Sequence, residues 1–170
     1  MIALRKLLFA SGGLVVVAAA AWGSLTMAGH HRQMTGAESM TTKASHVMPF
    51  DLTRTTHTFV TAPSGGVERV VVNDRADTRN KALIRSHLSK EAVLFAEGDY
   101  SDPTTIHGMD MPGVTELTAG ADRVAVDFAE VDGGAQITYS SSDPALVSAI
   151  HAWFDRQVAD HGMPGTGGAK

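Results

Sequence analysis

Two stretches of the chain carry the two-residue period of a β-strand, and each is followed by a stretch with the period of a helix. From Thr55 to Ala62 (TTHTFVTA) β-branched and aromatic residues predominate, Pro63-Ser64-Gly65-Gly66 interrupts, and Val67 to Asn73 (VERVVVN) resumes, which predicts a hairpin. Asp77 then stands where an N-cap belongs, and Leu83, Ile84, Leu88, Ala92 and Phe95 recur at helical spacing with His87 on their side. That predicts a helix from about Thr78 to Glu97, closed by Gly98. The order then repeats: Arg123 to Val131 alternates, Asp132-Gly133-Gly134 turns, and Ala135 to Ser140 is the partner strand. Asp143-Pro144 opens a second helix through Val147, Ile150, Phe154 and Val158 to His161-Gly162. The expected class is α+β, a two-layer sandwich in which an antiparallel sheet of two hairpins is covered by two helices, in the order ββαββα. A Gly-Gly turn before a strand and a helix with a central histidine, His87 or His151, in each half suggests a weak internal repeat.

The ends read differently. Arg5 and Lys6 precede an uncharged apolar stretch from Leu7 to Met27, with no acidic residue before Glu38. This is the pattern of an export leader over residues 1–28, cleaved near Ala28 in view of its Ser-Gly-Gly and Gly-Ser interruptions. At about 20 residues it also meets the lower limit for a spanning helix, so a retained membrane anchor is the alternative. Residues 29–45 are polar, small and aperiodic and read as a flexible tether; residues 46–162 form one domain, and the Gly-rich 163–170 a disordered tail.

Without the leader about 140 residues remain, enough for one hydrophobic core. A net charge of -4 with the signs interspersed offers no basic stripe for nucleic acid. The chain lacks cysteine, which excludes lipoprotein attachment, disulfides and thiolate metal sites. Composition instead points to 8 His and 8 Met, six of the latter beyond residue 30.

The most distinctive string is Ile106-His107-Gly108-Met109-Asp110-Met111-Pro112-Gly113, in the long connection between the halves. Imidazole, two thioethers and a carboxylate fall within five residues, and thioether sulfur suits Cu(I) while imidazole suits copper in either oxidation state. His46-x-Met48 is a second soft pair. His87 and Glu91, four apart, share a helix face, as two ligands or as a ligand with its orienting carboxylate. His151 lies among Val147, Phe154 and Val158; His57 sits in the first strand on a side the alternation does not fix. The candidate metal ligands are therefore His57, His87, His107, Met111, His151, Met109 and Glu91, and copper is the expected ion. Each also has a plain reading: histidines bonded at the core edge, and methionines as core filler.

No G-x-S-x-G, H-E-x-x-H or phosphate-cradling Gly loop is present. Leu52-Thr53-Arg54-Thr55 matches part of the phosphate loop of the aspartate and ornithine carbamoyltransferases, enzymes of two α/β domains and roughly twice this length. His87 and Glu91 are the carboxylate–imidazole pair that a hydrolase would use. The non-enzymatic alternatives to copper are haem or another planar ligand held by His107 or His151 against Trp153 and Phe154, and a cell-envelope interaction protein without metal.

Thr55-Thr56-His57-x-Phe59, Leu83-Ile84-Arg85-x-His87-Leu88, Ile106-His107-Gly108-x-Asp110-Met111-Pro112-Gly113 and His151-x-Trp153-Phe154-Asp155 resemble the recurring strings of a group of small exported bacterial proteins of uncertain function. Some of these carry the name aspartate carbamoyltransferase. The resemblance implies one compact fold from about His46 to Gly162. It also ranks His107, Met111, His57, His87 and His151 above Met109, which stands at a variable position of its string.

Overall fold

In the computed structural model residues 36–161 are described, with side chains over 42–160. The stretches read from the sequence as leader and tail lie outside the described residues. Helix α1 (Gly36–Val47) leads through a 3₁₀ turn at Leu52–Arg54 into strands β1 (Thr55–Ala62) and β2 (Gly65–Val72). Helices α2 (Thr78–Ala96), α3 (Ser101–His107) and α4 (Val114–Ala119) follow, then a 3₁₀ turn at Ala121–Arg123, strands β3 (Ala125–Val131) and β4 (Gly134–Ser140), and helix α5 (Pro144–His161). The sheet order is β1-β2-β4-β3, antiparallel throughout. The class is thus the expected α+β, with the two hairpins joined through β2 and β4 at the centre of one sheet.

The local chemistry explains the boundaries. The Asp77 carboxylate accepts from the Asn80 amide at the start of α2, and the Asp143 carboxylate accepts from the Ala145 amide at the start of α5. Asp132-Gly133 is a two-residue turn in which Gly133 has φ +85°, a conformation open to glycine at no steric cost. Three helices go beyond the two that periodicity predicts. α1 occupies residues read mostly as tether: among its described side chains Ala44, 2% exposed, is the one fully buried, and the helix packs on α3. α3 and α4, of 7 and 6 residues, are too short for a helical period to emerge and lie within the connection read as loop.

The helices cover one sheet face, and they cross between the halves. α2, which follows the first hairpin, lies mainly over β3 and β4; α5, which follows the second, lies over β1 and β2. Between them sits an aromatic core of Phe95, Tyr100, Tyr139, Trp153 and Phe154, each 3% exposed or less. The Trp153 ring stands edge-on to Tyr100 and to Tyr139 with centroids 5.2 Å apart in both pairs. Burying each such side chain stabilises the fold by about 1.5–3 kcal/mol. Arg85 on α2 fastens the second hairpin, donating to the carbonyls of Gly134 and Val131 and pairing with Glu130.

Candidate functional site

Strand register decides what faces the helices. His57 pairs with Val70 and Phe59 with Glu68, and Val70 is fully buried, so His57, Phe59 and Glu68 all point to the helix side. On α2, His87 and Glu91 stand one turn apart on the side facing them. α3 brings Asp102 from its first turn, and the chain leaving α1 brings Met48 and Phe50. These side chains border a cavity of about 40 Å³, walled on its other sides by apolar residues such as Leu88, Phe95 and Ile106. The space suits an ion or two or three waters. The Phe50 ring touches both imidazoles, with centroids 5.7 Å from His57 and 5.8 Å from His87.

The electrostatics of the cavity are one-sided. Three carboxyl groups and two imidazoles line it, and among the described residues no Lys or Arg does, the Lys90 charge reaching His87 and Glu91 from outside the lining. Burial pushes the Glu68 carboxyl up to about 7, although the Tyr139 hydroxyl, donating to it at 3.1 Å, works in the opposite direction. Glu68 retains some surface exposure as a residue, but its carboxyl reaches Tyr139, which is 1% exposed, so its acid group is the enclosed part. Glu91 is pushed up to about 8, first by burial, then by its hydrogen bond to Asp102 and the Asp102 and Glu68 charges. Glu91 is 5% exposed, and its Oε1 is enclosed without a hydrogen-bond partner. Burial lowers His87, against the pull of Asp102, so its ring is neutral near pH 7 and keeps a lone pair for a ligand.

The other residues singled out by the sequence are placed elsewhere. His107 ends α3 with its side chain 1% exposed; Nδ1 donates to Asp160 Oδ2 at 2.8 Å, and the ring also bonds Gln157. His151 Nε2 lies 2.9 Å from both the Ala62 and the Gly65 carbonyl oxygens, so it carries the proton and ties α5 to the first hairpin turn. Met111 is buried in the core at 5%, while Met109 is 84% exposed. The distinctive string is therefore a structural splice: Ile106, His107 and Met111 anchor it, and Gly113, at φ +83°, passes so close to α5 that a Cβ would sit 2.1 Å from the Ala149 carbonyl oxygen. Trp153 and Phe154, each 1% exposed, leave no open face beside His151 for a planar ligand.

Of the seven expected ligands the structure thus gathers His57, His87 and Glu91 at one cavity and disperses His107, His151, Met109 and Met111. Glu68, Asp102 and Phe50 join the site without a signal in the sequence, because strand register and the α3 packing bring them there. Among the described residues no three His, Asp or Glu side chains are arranged to hold a metal ion, so a ligand set at this cavity would rest on the two imidazoles with the Met48 thioether, the carboxyl groups standing outside it. No family model, curated protein or solved structure matches this chain.

Proposed function

We propose that the protein is an exported metal-binding module that holds a copper ion in the cavity between α2, α3 and the first hairpin, for sequestration or transfer. One observation carries the reading: among the described residues the cavity brings two imidazoles, a thioether and three carboxyl groups together with no cationic side chain in its lining, and one enclosed carboxyl oxygen, Glu91 Oε1, has no hydrogen-bond partner there. Burial first, then the Asp102 hydrogen bond and the Asp102 and Glu68 charges, keep Glu91 protonated, and a cation there would offset the cost of ionising these carboxyls. Two imidazoles with a thioether are a donor set that copper favours over magnesium or calcium. In this reading His57 and His87 are the principal ligands and Met48 the soft ligand, while Glu91 and Asp102 balance the ion's charge without coordinating it. His107 and His151 hold the fold together, and Met109 and Met111 are outside the ligand set.

The test is to strip the exported protein with chelator, equilibrate it separately with Cu(II) and with Cu(I) under ascorbate, desalt it and measure bound metal. About one equivalent should remain, with a thermal upshift, and the double variant H57A/H87A should retain none. His151→Ala should bind as the parent does. Copper lost on desalting, no thermal shift with copper, zinc or nickel, or undiminished binding in H57A/H87A would overturn the proposal.

A further inference from the structure

All the described helices lie on one side of the sheet, and the opposite face has no covering element among the described residues. Its outward positions are short and largely apolar or hydroxylic, including Thr58, Val60, Val67, Val71, Ala129 and Thr138; Val60 is 61% exposed. A sheet face turned permanently to water is ordinarily rich in charge, since its alternate positions have nothing to pack on. Here the outward positions of the four strands carry two charges, Arg69 on β2 and Asp127 on β3, and they are of opposite sign. Neither makes an ion pair with another described residue. The register keeps them apart: Arg69 pairs with Gln136 and Asp127 with Thr138, which separates them by two strands across and two residues along, about 12 Å in backbone terms.

We infer that this face binds a second copy of the same chain, sheet against sheet, with each Arg69 meeting the partner's Asp127. A two-fold axis lying between two such faces, midway between the two positions and at right angles to the line joining them, exchanges those positions. A single Arg and a single Asp on a self-complementary face then form two identical ion pairs, as an isologous contact requires. Gln136 and Thr138 flank the centre of that contact, and Val67 and Ala129 lie on either side of them as its apolar packing. Four strands about 4.8 Å apart and seven residues long at about 3.4 Å per residue present roughly 450 Å² in projection, at the low end for specific interfaces. The dimer is accordingly weak, with a dissociation constant between about 10 µM and 1 mM.

Sedimentation of the full exported protein over that concentration range should show a monomer–dimer equilibrium. Arg69→Asp and Asp127→Arg should each weaken it by about tenfold or more, because each turns both pairs into like-charge contacts. An equimolar mixture of the two variants should recover parental association, since R69D and D127R chains restore both pairs in the mixed dimer; a variant that had failed to fold would not do this. A parent that stays monomeric at about 1 mM, single variants that associate like the parent, or a mixture that stays monomeric would each overturn the inference. The first of these outcomes would leave the face to a partner other than a second copy.

Discussion

Raising the pH from 6.5 to 8 should destabilise the metal-free protein, which is the reverse of what paired surface carboxylates produce. Glu68 and Glu91 titrate near 7 and near 8 in the folded state against about 4.5 when unfolded. Above pH 5 the unfolded chain has released both protons while the folded chain keeps them. Folding therefore takes up protons, and the stability this contributes is fully present below about pH 4.5 and is lost as pH rises through the two folded values. Between pH 6.5 and 8 the two groups together hold about one extra proton on average. Each such proton is worth about 1.4 kcal/mol per pH unit, so the loss is about 2 kcal/mol. For a domain of this size it lowers Tm by about 6–10 °C. The window matters because burial holds His87 and His107 below their ordinary range, and these groups cost stability only as pH falls below about 6.5. Urea unfolding of chelator-treated protein at pH 6.5, 7.25 and 8 measures the slope, and Glu91→Gln should remove more than half of it while raising stability at pH 8. A flat or rising profile, or a parental slope in Glu91→Gln, would refute the placement of two protonated carboxyls in the cavity.

Other substitutions probe the framework. Gly113→Ala should cost at least about 3 kcal/mol in urea unfolding or abolish folding, because its Cβ meets the Ala149 carbonyl, whereas Gly108→Ala, also at positive φ but with nothing within 4 Å, should cost only about 1–2 kcal/mol. His151→Ala should lose about 1–3 kcal/mol by stranding the Ala62 and Gly65 carbonyls while leaving copper stoichiometry unchanged. Arg85→Ala releases the second hairpin from α2 and should cost about 1–3 kcal/mol, with amide exchange rising first in β3 and β4.

The fold was legible where local chemistry and pattern agree. Asp77 and Asp143-Pro144 mark helix starts by supplying an acceptor to free amides, and Asp132-Gly133 marks a turn by tolerating positive φ; none of these depends on distant residues. α1 was not legible because a helix whose described side chains bury little beyond Ala44 has no apolar stripe to read. Half of the site could be seen: His87 and Glu91 share a face through helical geometry alone. The inward direction of His57 was hidden because Thr55-Thr56-His57-Thr58 offers similar residues to both sides, and it is fixed only by pairing with buried Val70. Glu68 was hidden for the same reason, since valines occupy both parities of its strand. The string around His107 looked chemical because His, Met, Asp and Gly are as distinctive in a tightly anchored splice as in a metal loop.

The crossing of α2 and α5 has a consequence for how the chain comes into being. Each hairpin is roofed by the helix of the other half, so neither half encloses a finished core, and β1 and β2 wait for residues some ninety positions away. A chain emerging from its amino end, from a ribosome or through a narrow pore, stays open until its last long helix has emerged, and then closes in one cooperative step. Cutting the chain between α4 and β3 should yield two fragments that are each unfolded alone and that assemble when mixed.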